Sequence, residues 1–195
     1  MNRVVVNIDL DNVVYDFNKA MHDYAEFILN RELPQSTNWA TWDDWGIPRG
    51  AFDFIFRRGV EEGFIWRTGR VIPGAIEGLW ALSDAEYHIR LVTTRLTNKW
   101  AHDVAAIHTV EWLKENAIPY RSLALIGGGD SKVLYQALAL VDDNEDNLME
   151  WAITHGNAIA FDQPWNRELV DDNVLGIVGA TNWAEVVEHI EGITL

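Results

Sequence analysis

Three pairs of polar residues each follow a short apolar run of the sequence. The pairs are Asp9 and Asp11, Thr93 and Thr94, and Asp142 and Asp143. A single pair of carboxylates after a strand is most often a helix cap or a turn former. In an open parallel sheet, however, ligands bind outside the carboxyl ends of the strands, and three such pairs would converge there. The spacing therefore predicts one polar site built from three strand ends.

The residue types of this predicted site suit phosphoryl transfer to a carboxylate. Carboxylate oxygens are the hard ligands that Mg²⁺ prefers, and carboxylates packed together repel one another unless a divalent cation neutralises them. A loop just beyond a strand can aim Asp9 at phosphorus and Asp11 at the leaving oxygen. The pair therefore suits an aspartyl-phosphate mechanism, in which carboxylate attack is followed by hydrolysis.

Such a mechanism also needs donors and a positive charge where negative charge develops. Thr93 and the neighbouring backbone amides can bind the transferring oxygens, and Lys132 can supply the charge. These residues extend the predicted site beyond its carboxylates.

The elements that must position these residues follow the pattern of a parallel α/β sheet, in which short apolar runs alternate with helical periodicity. The predicted strands are residues 4–8, 88–92, 122–126, 138–141 and 158–161, with 174–178 as a candidate sixth. The predicted helices are residues 14–29, 75–82, 99–115, 132–137, 145–155 and 183–190. Residues 31–72 are rich in Trp, Phe and Arg and lack strand alternation, so we interpret them as a mostly helical insertion.

Composition excludes several classes of function. The 195 residues include no cysteine, which excludes disulfides, thiolate catalysis and cysteine-ligated metal sites. The formal net charge of −15, with no run of Lys or Arg, argues against binding to nucleic acid polymers or anionic membranes. Neither a signal peptide nor an apolar stretch of membrane-spanning length is evident. We therefore expect a soluble, cytoplasmic protein that acts on a small molecule.

The ordered motifs resemble those of the haloacid dehalogenase-like phosphatases. The four segments that carry the resemblance are Asn7 to Val14, Leu91 to Thr94, Lys132, and Leu140 to Asp143. They occur in the family's order, and the resemblance covers essentially the whole chain. It implies an α/β, Rossmann-like parallel sheet with a small helical cap inserted after the first strand. The core would comprise residues 1–17 and 73–195, and the cap residues 18–72.

The resemblance also implies a role for each matching residue. Asp9 would be the nucleophile and Asp11 the general acid/base. The magnesium ligands would be Asp9, the backbone carbonyl of Asp11, and Asp142 or Asp143, of which we favour Asp143. The phosphate would bind to Thr93, Thr94 and Lys132.

Within this superfamily the chain is most similar to the 5′(3′)-deoxyribonucleotidases. The similarity rests on Asp9 to Phe17, Gly63-Phe64, Val71 to Ala75, and Asp130 to Lys132. It implies a nucleoside monophosphate as substrate, with a deoxy sugar and a pyrimidine base preferred, and Phe17 and Phe64 as base contacts. Asn12 stands where Gly is common, and Thr94-Arg95 stands where Ser-Pro is usual. These departures bear on the substrate more than on the reaction.

Several alternatives stay open at this point. The main one is a phosphatase of sugar phosphates or other small phosphoesters, followed by a catalytically inactive nucleotide-binding module. A receiver domain would place its acidic pair after the first strand, and a dehalogenase would not need Asp11. The sequence leaves the oligomeric state open, a homodimer included.

Other conspicuous side chains are interpreted as structural. Trp80, Trp112 and Trp183 have helical core spacing, so we expect them to pack in the core. We expect the histidines to lie mostly on the surface or on helices, without the carboxylate partners of a metal site. They are His22, His88, His102, His108, His155 and His189. Lys99 is expected on the helix beyond the second strand.

Overall fold

The computed structural model describes residues 3–97 and 101–194, and the strands within them form one parallel six-stranded sheet in the order β3-β2-β1-β4-β5-β6. The strands are β1 Val5–Ile8, β2 His88–Leu96, β3 Ser122–Gly127, β4 Leu140–Asp142, β5 Ala158–Phe161 and β6 Val178–Ala180. The predicted α/β, Rossmann-like parallel sheet is confirmed.

Helices connect these strands and form the insertion. They are α1 Phe17–Leu29, α2 Thr41–Asp44, α3 Arg49–Glu61, α4 Ala75–Asp84, α5 His102–Glu115, α6 Glu145–His155, α7 Arg167–Asp171 and α8 Trp183–Gly192. Short 3₁₀ turns occur at Phe64–Trp66, Lys132–Leu134 and Val174–Gly176. The side chains of Asp16, Asn144 and Asn182 accept hydrogen bonds from the first turns of α1, α6 and α8, which fixes where those helices begin.

The sheet separates two helical layers. Alternate residues of β5 join different apolar clusters: Ile159 packs with α4, α5 and α8, whereas Ala158 packs with α6 and α7. This alternation is the period of two that side chains follow along a strand. All four residues of β5 and all three of β4 are buried, as expected of parallel strands covered on both faces.

A third apolar cluster forms in the insertion, which we call the predicted cap (residues 18–72). Its buried residues are Met21, Tyr24, Ala25, Leu33, Trp45, Ile55, Val60, Ile65 and Trp66, joined by Ala101 and Ala105 near and on α5. The two ends of the insertion run side by side, since Asp16 N donates to Arg70 O and Ile72 N donates to Val14 O, both at 2.9 Å. The predicted cap is therefore attached to the sheet through two adjacent backbone segments.

Some element predictions were wrong. Residues 174–178 are not the sixth strand: Val174–Gly176 is a 3₁₀ turn with left-handed backbone at Asn173 and Leu175, and the strand is Val178–Ala180. The helix predicted at 132–137 is a single 3₁₀ turn, Lys132–Leu134. The second strand extends beyond the predicted 88–92 to Leu96, past a register shift with β3.

The structure also tests the predictions made for the tryptophans and for His22. Trp112 and Trp183 are buried as expected, but Trp80 is 51% exposed, because helical spacing alone does not say which face of α4 is covered. His22 is buried rather than superficial, and it lies beside two carboxylates. Lys99 lies outside the described residues, and α5 begins at His102. None of the helices in the described ranges is long and apolar enough to cross a lipid bilayer.

Candidate functional site

The predicted polar residues converge at the carboxyl ends of β1, β2 and β4. Asp9 directly follows β1, and its backbone N–H donates to Val141 O of β4 at 2.8 Å. Thr93 lies on β2 and Asp142 ends β4. Charged and polar side chains of this region are buried, although such groups are rarely found inside a protein without partners. The buried members are Asn7, Asp9, Asn12, Thr93, Arg95, Lys132, Asp142 and Asp143.

Lys132 is held between two of the buried carboxylates. Its Nζ lies 2.7 Å from Asp9 Oδ1 and donates a hydrogen bond to Asp142 Oδ2 at 2.7 Å. The lysine is 3% exposed. Burial of an ammonium group is costly unless the charge is paired, and the two carboxylates provide that pairing. The structure thus brings Lys132 to the predicted nucleophile.

The two acids that end β4 differ in their partners. Asp142 accepts hydrogen bonds from Lys132, from Asn144 N at 2.9 Å and from Asn147 Nδ2 at 3.1 Å. Asp143 Oδ2 accepts one, from Asn12 Nδ2 at 3.0 Å. Asp142 is therefore largely committed to protein donors, whereas Asp143 retains lone pairs for another ligand.

Asn12 accounts for one departure from the family pattern. Its backbone is left-handed, with φ of 56°, a conformation that Asn tolerates far better than most non-glycine residues. Its Oδ1 accepts from Asn18 N at 3.0 Å while its Nδ2 holds Asp143. Asn at this position therefore keeps the turn that Gly would allow and adds a donor for Asp143.

Three carboxylates form what we call the acidic cluster: Asp9, Asp142 and Asp143, each with one oxygen within 4.8 Å of the others. Burial raises the pKa of Asp9 to about 7, against the opposing charge of Lys132 and with a contribution from Asp142. Burial and the charges of Asp142 and Asp9 likewise hold the pKa of Asp143 well above its usual range. The cluster has more negative charge than Lys132 can balance.

This imbalance fits a divalent cation. Lys132 lies within ion-pair distance of Asp9 and Asp142, whereas the Asp143 carboxylate accepts a hydrogen bond from a neutral amide, that of Asn12. A buried carboxylate is costly unless its charge is paired, and a cation among the three carboxylates would provide that pairing. The ligand set contains oxygen alone, which suits Mg²⁺ rather than a metal that prefers nitrogen or sulfur.

Asp11 has different partners from Asp9. Thr93 Oγ1 lies 3.3 Å from Asp11 Oδ2, and Arg95 Nε donates to the same oxygen at 3.1 Å while Arg95 Nη2 donates to Oδ1. This two-point contact orients the carboxylate as well as pairing its charge. Thr94 is half-buried and does not take part in it.

Arg95 is a site residue that the sequence interpretation missed, noting it only as a departure from the family pattern. The side chain is fully buried, and its Nη1 donates to Thr109 Oγ1 of α5 at 3.0 Å. Its guanidinium carbon lies 4.5 Å from the ring centroid of Tyr15 and 4.7 Å from that of Trp66. Stacking of this kind favours Arg over Lys. Arg95 thereby links Asp11 to an aromatic residue of the predicted cap.

The loop after β5 also reaches the site and was not predicted to do so. Trp165 Nε1 and Asn166 Nδ2 donate to Asp143 O at 3.1 and 2.9 Å, and Gln163 Nε2 donates to Asn12 O at 3.1 Å. The Trp39 ring of the predicted cap lies 5.8 Å from that of Trp165. The sequence did offer one indication of this, because the loop follows the predicted strand next to β4, and ligands bind at this end of a parallel sheet.

The two predicted base contacts lie in different surroundings, Phe17 next to the start of the predicted cap and Phe64 inside it. The Phe17 ring is stacked on Trp66 at 5.7 Å between centroids and packs against both the sheet cluster and the cap cluster. The Phe64 ring lies 5.0 Å from Tyr24 and packs in the cap cluster. Phe17 is connected to Asp11 through Trp66 and Arg95, whereas Phe64 is set among cap residues.

Comparison with known proteins gives a family for this arrangement. Residues 3–194 match the family model described as 5′ nucleotidase, deoxy (Pyrimidine), cytosolic type C protein. The chain is also similar to a protein of Chlorobaculum tepidum named "Putative 5′(3′)-deoxyribonucleotidase", with 29% identity over 194 residues that cover 97% of this chain and 91% of that protein.

Solved structures show the same fold at low sequence identity. One is a phosphatase from Clostridium acetobutylicum, described as predicted, with 12% identity, a TM-score of 0.63, and coverage of 99% of this chain and 100% of that one. Another is the D,D-heptose 1,7-bisphosphate phosphatase of B. bronchiseptica, complexed with magnesium and phosphate, with 13% identity, a TM-score of 0.54, and coverage of 96% and 98%.

Proposed function

Because this chain belongs to the family of cytosolic type C 5′ nucleotidases, which have the haloacid dehalogenase-like phosphatase fold, we propose that it hydrolyses deoxynucleoside monophosphates with Mg²⁺ through an aspartyl-phosphate intermediate. The observation that carries the proposal is the pairing of Asp9 with Lys132 inside the acidic cluster, beside an Asp11 that has separate partners. The two carboxylates of one motif are thereby suited to two different tasks.

Asp9 is the group proposed to attack phosphorus. The closest contact of Lys132 with this carboxylate is at Oδ1, and we propose that the other oxygen, Oδ2, is the attacking atom. Attack forms the bond between a carboxylate oxygen and phosphorus while the bond to the nucleoside oxygen breaks. Lys132 remains beside the transferring group, where its charge opposes the negative charge that develops.

Asp11 is the group proposed to carry the proton. It donates a proton to the leaving nucleoside oxygen, and then accepts one from the water that hydrolyses the aspartyl phosphate. Arg95 orients this carboxylate through two hydrogen bonds. Thr93 and Thr94 are proposed to bind phosphate oxygens together with backbone amides of the same strand end.

The acidic cluster fits magnesium. Asp9 and Asp143 are the proposed side-chain ligands, with the backbone carbonyl of Asp11 as a third, and Asp142 supports them through Lys132 and Asn147. Bound there, Mg²⁺ would neutralise phosphate charge and orient the group for in-line transfer.

Residues 18–72 are proposed to act as a cap that selects the substrate. A site that binds only phosphate would accept any small phosphomonoester, so selectivity must come from what covers it. Phe17 is the better-placed of the two predicted base contacts because it is stacked on Trp66, which touches Arg95. Stacking of a base on an aromatic ring contributes about 1–3 kcal/mol, enough for about a tenfold to hundredfold preference over a sugar phosphate.

The test is phosphate release from a panel of deoxynucleotides, ribonucleotides and sugar phosphates, with Mg²⁺ and with chelator. We expect deoxynucleoside monophosphates to be the best substrates and activity to be lost in chelator. Phe17→Ala should raise KM for nucleotides and leave p-nitrophenyl phosphate nearly unaffected. Better turnover of a sugar phosphate than of every nucleotide would replace the nucleotidase assignment with that of a general phosphatase.

A further inference from the structure

A second group of metal-ligating side chains lies on α1, within the predicted cap. We call His22, Asp23 and Glu26 the histidine cluster; one ligand atom from each lies within 4.8 Å of the others. His22 Nδ1 is 3.8 Å from Asp23 Oδ1 and 3.7 Å from Glu26 Oε2. His22 and Glu26 are one helical turn apart, so they project from the same face of α1.

The imidazole of His22 presents a buried lone pair to these carboxylates. Its Nε2 lies 3.0 Å from Leu33 O, and because a carbonyl only accepts, Nε2 carries the proton. In the neutral ring Nδ1 is then an acceptor, yet it is buried with no hydrogen-bond partner in the described residues. The side chain as a whole is 9% exposed. The distances from Nδ1 to the two carboxylates exceed hydrogen-bond length.

Leu33 forms a backbone hydrogen bond with His22 and another with Glu26, in each case to the side-chain atom that points away from the cluster. Leu33 O accepts from His22 Nε2, and Leu33 N donates to Glu26 Oε1 at 2.9 Å. The Trp45 ring packs edge-on against His22 at 6.0 Å. Metal-binding histidines and carboxylates are oriented in this way, with the atom that does not bind the metal fixed by a backbone group. The inner atoms, Nδ1 and Oε2, are left facing each other.

The separations fit a tetrahedral transition-metal site. Ligand atoms at about 2.0–2.1 Å from Zn²⁺ lie about 3.4 Å from one another in a tetrahedron, so the two distances from His22 Nδ1 need to shorten by only a few tenths of an ångström. Lys19 is hydrogen-bonded to both oxygens of Asp23 and would have to release one of them. An imidazole with carboxylates suits Zn²⁺, in contrast to the all-oxygen acidic cluster that suits Mg²⁺.

We propose that the histidine cluster binds a zinc-class divalent metal through His22 Nδ1, Glu26 Oε2 and Asp23 Oδ1, with water completing the coordination. The metal would fasten α1 to the chain around Leu33 and so stiffen the predicted cap. This site is separate from the acidic cluster, and the inference does not depend on the proposed function.

The test is a calorimetric titration with ZnCl₂ in excess Mg²⁺, in an Asp143→Asn background that weakens the acidic cluster as a competing site. His22→Gln retains a donor for Leu33 O and removes Nδ1, and Glu26→Gln retains an acceptor for Leu33 N and removes the charge. We expect each to weaken zinc binding at least tenfold. The matched control is His108→Gln, which breaks a histidine–glutamate pair on α5, His108 with Glu111 at 3.1 Å, to which the described residues add no third ligand. It should leave zinc affinity unchanged.

A second measurement needs no variant of this cluster. In the ¹⁵N spectrum of the histidine side chains, zinc should shift Nδ1 of His22 and leave its Nε2 protonated. Equal zinc affinity in all three variants, an equal loss in the His108 control, or an unshifted His22 would each overturn the proposal and indicate adventitious surface binding.

Discussion

The two sides of the candidate site balance charge in different ways. On the β4 side, three buried carboxylates share one lysine, so negative charge is left over. On the β2 side, Asp11 is matched by one arginine that is itself stacked between two aromatic rings. We expect the first arrangement to take up a cation from solution, whereas in the second the protein itself supplies the opposing charge. Metal dependence should therefore be a property of the β4 side alone.

The largest expected effect comes from replacing Asp9, the proposed nucleophile on the β4 side. Asp9→Asn should lower kcat by more than about 10⁴-fold, because a neutral amide cannot form the acyl phosphate. Asp11→Asn should lower it by about 10²–10⁴-fold, the usual value of proton transfer to a leaving group. Steady-state kinetics with a deoxynucleotide measures both, and circular dichroism checks the fold. Near wild-type turnover of Asp9→Asn would refute the mechanism.

The second-largest effect is expected from removing Lys132. Lys132→Ala leaves Asp9 and Asp142 without their cation, and losing one partner of a buried pair costs about 3–5 kcal/mol. We expect lower stability in chelator together with a severe loss of kcat. Lys114→Ala on α5, an exposed lysine, is the control. Similar losses in both variants would show that the buried position of Lys132 carries no special role.

On the β2 side, Arg95 should act as a positioning residue. Arg95→Met retains the buried volume but frees Asp11, and misplacing a catalytic group costs about 10²-fold. The loss should appear in kcat more than in KM, and magnesium affinity should not change. Arg90→Met is the matched control, since Arg90 lies on the same strand and contacts Gln136 O away from Asp11. A loss of magnesium affinity in Arg95→Met would show that the two sides are not independent.

The smallest effect concerns pH. Because burial raises the folded-state pKa of Asp9 to about 7, the folded protein keeps a proton that the unfolded chain has already released. The free energy of unfolding of the metal-free protein should therefore decrease as pH rises from about 4 to about 7. Mg²⁺ binds the deprotonated carboxylates, so its stabilisation should grow over the same range. With saturating Mg²⁺ we expect Tm to rise by about 5–10 °C near pH 8 and by less near pH 5.5. In Asp143→Asn this pH-dependent gain should largely disappear; an equal gain at both pH values would contradict the charge imbalance.

Much of the fold could be predicted from sequence because buried parallel strands are continuous apolar runs. The bounds predicted for β5 and α6 match those observed. The strand-end carboxylates and Lys132 were also found, since their positions follow from topology. Their roles, and those of Phe17 and Phe64, stay predictions.

The residues that escaped prediction depend on tertiary contacts. An arginine in a strand carries no sign of whether it is buried, and the partners of Arg95 come from the loop after β1, from α5 and from the predicted cap. His22 was set aside because nothing local shows that Leu33 folds back onto its ring. Trp80 was wrongly predicted to be buried, because helical periodicity does not reveal which face of a helix is covered by the rest of the protein.

The central place of β1 has a consequence for synthesis of the chain. Ile8 is paired with Leu91 on one side and with Val141 on the other. The strand that precedes the proposed nucleophile, Asp9, therefore completes its pairing only after much later parts of the chain have been made. Such non-local pairing slows folding and prolongs exposure of apolar edges. A nascent chain that has not yet emerged beyond Asp143 lacks one wall of the site. Under the proposed mechanism, catalytic competence is therefore acquired only when most of the protein has been made.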